Sequence, residues 1–332
     1  LPEDVPGWGE LERRRAEFHR ALDGLAFAPN DSGARGARVG QGKVWVGPWS
    51  ALMKAAGIPH EPLAGGAGAF VIRRRHDYGR DYFVANQSTN VLEGWFGLAT
   101  PGRSVGVMDP LTGRVGKAAV RSSRDGSDRV EARLRLEPGQ SLVLRSFREA
   151  NLSQANWSWG VPGESVQEVL GPWEVSFLDG GPGLPRGYTN AVLGSWTLSS
   201  DPEAERFAGT ALYRATFDAP RADGERILDL GRVRHSARVT LNGRNLGAGI
   251  MHPYRMAIPA GLLREQGNEL RVEVTNLSAN RLRDLDRRGV EWRRFQDINV
   301  VNIGYKPLNA SSWPVLDSGL LGPVRLCRGA GF

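Results

Sequence analysis

Five aromatic residues and one run of interleaved charges are the parts of this 332-residue sequence whose types and spacing suit chemistry. The charges lie between Asn276 and Gly322, in NLSANRLRDLDRRGVEWRRFQDINVVNIGYKPLNASSWPVLDSGLL, where Asp284, Asp286, Glu291 and Asp297 alternate with Arg281, Arg283, Arg287, Arg288, Arg293 and Arg294. Two carboxylates at a fixed separation can act as acid and base in cleaving a glycosidic bond. Carboxylates ringed by guanidinium groups instead build an ion-paired surface or a domain interface, with ligand contact as a further use. Asp284-x-Asp286 also offers clustered oxygens to a hard cation such as calcium, but the Gly and bidentate Glu of an EF-hand loop are missing downstream. No residue is therefore assigned as catalytic or as a metal ligand.

The aromatic residues are Trp157, Trp159, Trp292, Tyr305 and Trp313. A pyranose presents an apolar C–H face that stacks on indole or phenol, so these five are candidate carbohydrate-binding residues. The competing use of each is domain packing with the indole N–H satisfied. Trp173 and Trp196 lie inside strand-like patterns and are read as core. His19, His60, His76, His235 and His252 show no close pairing of the kind metal ligands need. Ser-based hydrolysis lacks a GxSxG elbow, and no GxGxxG follows a credible strand.

The elements that must position these residues are mostly strands. With 43 Gly and 20 Pro, the chain is built for many short elements joined by turns. Residues 1–65 carry a helical pattern from Trp8 to Leu25, a short strand at Lys43–Val46, and a helix at Trp49–Ala56 ended by Gly57, a partial α/β segment that belongs to a larger upstream domain. Residues 66–150 hold AFVIRRR, DYFVANQS, GWFGLAT, RVEARLRLEPG and SLVLRSF; their period-2 alternation and spacing of about ten residues predict an antiparallel β-sandwich ending near Phe147. Residues 151–170 read as an extended linker lying against a neighbour, because Trp157 and Trp159 would otherwise leave apolar area in water. Residues 171–332 form a third unit, again of strands, interrupted by the long excursion from Asn276, whose length marks it as functional or packed on a partner domain.

Net charge is +7, and of the 43 basic residues only Lys43, Lys54, Lys117 and Lys306 are lysine. The arginines are dispersed among acids, which is the pattern of a GC-rich genome and not of a nucleic-acid-binding face. One cysteine, Cys327, excludes an internal disulfide and a Cys-based zinc site. No stretch approaches the about eighteen consecutive apolar residues of a membrane span. The start LPEDVPGWGELERRR, with neither initiator Met nor export signal, is expected to lie inside a longer polypeptide.

The order GPW, GSWTLSSDPEAERFAGTALYRATF, LDLGRVRHSARVTLNG, HPYRMAIP, GNELRVEVTNLSANRLRD and SGLLGPVRL resembles the jelly-roll, galactose-binding-like domain of large glycoside hydrolases. It is most similar to the C-terminal region of α-L-rhamnosidases of glycoside hydrolase family 106, and IRRRHDYGRDYFVANQS with VMDPLTGRVGKAAV resembles the β-sandwich that follows their catalytic barrel. The resemblance implies a mainly β chain, a sandwich followed by a jelly roll, that buttresses an upstream catalytic barrel carrying the carboxylates. It implies a rhamnose-containing glycan or glycoside as partner, a periplasmic or secreted bacterial enzyme, no cofactor in this chain, and calcium as a possible ligand of the parent enzyme. Two other classes stay open: a free-standing carbohydrate-binding module without hydrolysis, and the accessory region of a family 2-like β-glycosidase. In either jelly roll, ARVTLNGRNLG is a hairpin whose Asn242-Gly243 turn sends Val239 and Leu241 inward.

Overall fold

Strict alternation sets the strands of the central region. In Val130–Leu136 the residues Val130, Ala132, Leu134 and Leu136 are buried while Glu131, Arg133 and Arg135 face outward, the period of a half-buried strand. The computed structural model describes all residues except 1–2, 59, 65–67, 124–125, 127, 150–151, 160–164, 221–223, 225, 293–305, 307 and 330–332. It is a mainly β structure, an antiparallel sandwich followed by a jelly roll and preceded by a small mixed segment.

That first segment contains α1 (Leu11–Asp23), β1 (Ala28–Pro29), β2 (Arg35–Val39), β3 (Gly42–Val46) and α2 (Trp49–Ala55). Its three strands pair antiparallel in sequence order. The edge strand β3 is exposed at Gly42 and Lys43 and half-buried from Val44 to Val46, and Gly57 follows α2 at φ 64°. Helix α1 buries none of its residues.

The sandwich stacks a five-stranded sheet on a three-stranded one. The first takes β4 (Ala69–His76), β5 (Gly79–Asn86), β7 (Ser104–Met108), β8 (Val115–Lys117) and β11 (Ser141–Phe147); the second takes β6 (Leu92–Leu98), β9 (Val120–Ser122) and β10 (Val130–Leu136). Their inner faces enclose one core of Tyr82, Val84, Leu98, Val107, Leu134 and Leu144 with neighbours. The following segment does lie against this body: Trp157 N–H donates to Lys117 C=O at 2.8 Å, and Lys117 N–H to Ala155 C=O at 2.9 Å.

Within the stretch expected as a linker, β12 (Ser165–Glu168) already pairs with the last strand of the chain. The jelly roll then runs through β13 (Trp173–Gly181), β14 (Tyr188–Asn190), α3 (Pro202–Arg206), β15 (Ala208–Phe217), β16 (Arg226–Asp229), β17 (Arg232–Arg234), β18 (Ser236–Leu241), β19 (Arg244–Gly249), β20 (Arg255–Ile258), β21 (Asn268–Thr275), α4 (Ala279–Arg287), β22 (Gly319–Gly322) and β23 (Arg325–Arg328). A six-stranded sheet, β14-β13-β15-β21-β18-β19, faces a four-stranded one, β12-β23-β16-β20. Trp173 and Trp196 are core, the latter in edge-to-face contact with Phe177 and Phe207 at ring separations of 5.5 and 5.9 Å. The hairpin forms as expected, with Asn242 at φ 50° and Gly243 at φ 80°, and with Val239 and Leu241 fully buried.

Candidate functional site

Trp157 and Trp159 come together in a narrow cleft of about 80 Å³ at the junction of the sandwich and the jelly roll. The β7–β8 turn supplies Asp109, Thr112 and Arg114, and Met251–Arg255 closes the far side. The indoles meet edge to face, 6.0 Å apart, and the Arg114 guanidinium sits 4.7 Å over the Trp157 ring. Both indoles also pack on the sandwich core. A face covered by a guanidinium is closed to a sugar, and the cleft is small for a pyranose, so Trp157 is engaged in packing. His252 stands in the same cleft; burial, with Arg234 nearby, holds its imidazole below the ordinary histidine range.

The acids of the excursion are also engaged. Asp284 carries Arg281 at 2.8 Å and Arg288 at 2.7 Å, with Arg206 at 3.8 Å. Asp286 accepts the Trp292 Nε1–H at 2.8 Å and the Ala310 N–H at 2.6 Å. Arg283 pairs with Glu205 at 3.0 Å and donates to the Trp313 C=O at 2.8 Å. An interface is what these contacts make, but its described half packs α4 on α3 and β15 of the jelly roll itself, not on the preceding sandwich as the long excursion suggests. The reason is local: Asn280 bonds both the N–H and the C=O of Leu316 at 2.8 Å, stapling the return of the excursion to the start of α4. Trp292 and Trp313 are half-buried in this arrangement. Tyr305, Arg293, Arg294 and Asp297 lie outside the described residues.

A roomier concavity lies elsewhere, against the β14 edge of the six-stranded sheet, with a volume of about 870 Å³. Strand register builds its floor. Val175 of β13 stands opposite Tyr188 on one side and Tyr213 on the other, and Trp173 stands opposite Asn190, so these side chains share neighbouring rows of the sheet. The segment from Val192 to Glu203 makes the opposite wall, fixed by Ser195, which accepts the Ser318 N–H at 2.9 Å, and by Asp201, which caps α3 through the Glu203 N–H at 3.0 Å and accepts the Arg186 N–H at 2.8 Å. Those two N–H donors hold the Asp201 carboxyl below the usual carboxylate range. Burial pushes the Tyr188 and Tyr213 phenols up, so both are neutral at physiological pH.

No family model matches this chain. Its fold is similar to the rhamnosidase from Novosphingobium sp. PP1Y, at TM-score 0.61 and 25% identity over 96% of this chain and 29% of that one. This is a glycoside-hydrolase-like accessory fold. In sequence the chain is 28% identical over 226 residues, 60% of its length, to a Formosa agariphila protein named "Putative beta-glucuronidase". The chain spans 19% of that relative's length.

Sequence reasoning therefore singled out tryptophans on irregular segments and passed over the concavity. Tyr213 sits in the strand-like run TALYRATF, which reads as scaffold, while Tyr188 and Asn190 belong to a three-residue strand that the sequence did not mark. The signal that marks them is the phenol at Tyr213, a polar group on the inward phase of a strand, which invites the question of what its hydroxyl bonds.

Proposed function

We propose that this chain is the C-terminal accessory part of an α-L-rhamnosidase-like glycoside hydrolase, contributing a glycan-contacting surface and no hydrolytic carboxylate. The observation that carries the reading is the likeness to the Novosphingobium rhamnosidase along 96% of the chain. The state of the acids agrees: Asp284 is bound up with arginines, and Asp286 with an indole and a main-chain N–H. A glycosidase acid needs a free path to the leaving oxygen, which these partners occupy. In this reading rhamnose-containing glycans are the partner, and the acid and base belong to a barrel domain outside these residues.

A second reading is favoured by the 28% identity to the Formosa protein, namely an accessory region of a β-glucuronidase-type enzyme. Affinity electrophoresis separates the two. Gels cast with a rhamnose-rich polysaccharide retard the chain under the first reading, and gels cast with a glucuronate-bearing xylan do not. Retardation by the glucuronate polymer alone overturns the first reading in favour of the second.

A further inference from the structure

The two outer faces of the sandwich differ in character. On the three-stranded sheet the outward side chains are ion-paired, Glu93 with Arg133 at 2.9 Å and Arg121 with Glu131 at 2.7 Å, and the Arg121 guanidinium covers Trp95 at 4.4 Å. A solvated sheet face has this polar make-up. On the five-stranded sheet, register lines up Ile72, Phe83, Val143, Met108 and Val115 as one apolar row across all five strands. Ile72 and Val115 are each 56% exposed and Phe83 39%, with Val143 and Met108 half-buried between them. Contiguous exposed apolar surface of this kind marks a contact face.

The rows on either side decide what can lie on it. One is charged: Arg74, Asp81, Arg145 and Lys117, with Gly106 between the last two and Asp81 held by Arg145 at 2.6 Å. The other, Phe70, Ala85 and Ser141, is uncharged, and Phe70 is 46% exposed. Sheets stack face to face with strand directions within about 30°, so a second copy can lie here in two ways. Turned about the direction of the central strand β11, it would set Arg74 over Lys117 and Arg145 over Arg145, like charge on like. Turned about the apolar row itself, it sets apolar row on apolar row and each charged row over the uncharged row of its mate, with Arg74 above the Phe70 ring. Strands about 4.8 Å apart and a same-face repeat of about 6.8 Å give the three rows roughly 450 Å² per copy. About 900 Å² for two copies is the size of a transient contact, below the about 1,200 Å² of stable ones.

We infer that the outer face of the five-stranded sheet is a weak two-fold interface between copies of this chain, in which each residue of the apolar row faces its own equivalent. The contact is independent of the chemistry proposed above.

Sedimentation equilibrium of the whole chain from about 10 µM to about 1 mM is expected to show mass rising toward that of a dimer. Ile72→Lys and Val115→Lys, both at exposed positions, weaken association at least about tenfold with Tm unchanged, whereas Leu198→Lys, equally open on the jelly roll, leaves it as it is. Arg74→Ala weakens it about 2–5-fold, the worth of an exposed cation–π contact. With a short bismaleimide, Ile72→Cys and Val115→Cys each cross-link as pure samples above the background of the buried Cys327. Cross-links that form only when the two cysteine variants are mixed overturn the row-on-row arrangement. Dimerisation indifferent to both lysine variants overturns the assignment to this face. A chain that stays monomeric throughout overturns the interface and leaves the face to a partner of other chemistry.

Discussion

Arg255 of the jelly roll reaches across to Glu137 of the sandwich at 3.3 Å while its Nε holds Asp229 of its own sheet at 2.8 Å. Glu137 is shared with Arg135 at 2.6 Å, so one guanidinium ties the two β units through a half-buried chain of charges. Arg255→Ala leaves two carboxylates without their common partner and is expected to cost about 1–3 kcal/mol in urea unfolding. It also speeds proteolysis between the units. Arg255→Lys recovers only part, because a point charge does not serve both acids. An unchanged unfolding midpoint in Arg255→Ala would show the junction to be held by packing alone.

The hairpin turn yields a prediction of a different kind. No atom lies within 4 Å of a Cβ built on Gly243, so replacement there meets open space and only backbone strain. Gly243→Val forces a β-branched residue to φ 80° and is expected to destabilise the jelly roll by about 1–3 kcal/mol. Gly243→Asn, which tolerates positive φ, costs less than half of that. Equal Tm values for the two variants would contradict the strain account.

Asp286 joins Trp292 to Ala310 and so closes the excursion around α4. Asp286→Ala is expected to expose the excursion to protease, with cleavage rates rising several-fold, while the melting of the β core moves little. Digestion at the parental rate would mean that α4 is held by its arginine pairs instead.

Acid lability should follow two partly desolvated imidazoles. His235 and His252 are both held below the ordinary histidine value, first by burial and then by Arg234. The unfolded chain binds protons at these residues before the folded chain does, so their contribution to stability is intact above about pH 6.5 and is lost as pH falls below it. Thermal melts from pH 7.5 to 5 are expected to show this fall, and His252→Gln to flatten it. A slope unchanged in that variant would assign the lability elsewhere.

Much of this was legible in residue types. Alternation marks Val130–Leu136, the Asn242-Gly243 pair marks its turn, and Trp173 reads as core from its strand-like run; Trp196 is core as well, but on a short 3-10 turn and not on the strand expected for it. The use of the other tryptophans was not legible, since it depends on partners distant in sequence. Arg114 covers Trp157 from 43 residues away, and Asp286 meets Ala310 from 24. The concavity was hidden for the same reason: Val175 brings Tyr188 and Tyr213 into line only through sheet register.

The central claim is that this chain is an accessory body without the hydrolytic pair. Incubating it with 4-nitrophenyl α-L-rhamnopyranoside and following nitrophenolate release tests that claim most directly. The account predicts no release above the uncatalysed rate, because Asp284 and Asp286 are committed to arginine, indole and main-chain partners. Turnover by the purified chain that disappears in Asp284→Ala or Glu291→Ala would contradict it and make the excursion catalytic.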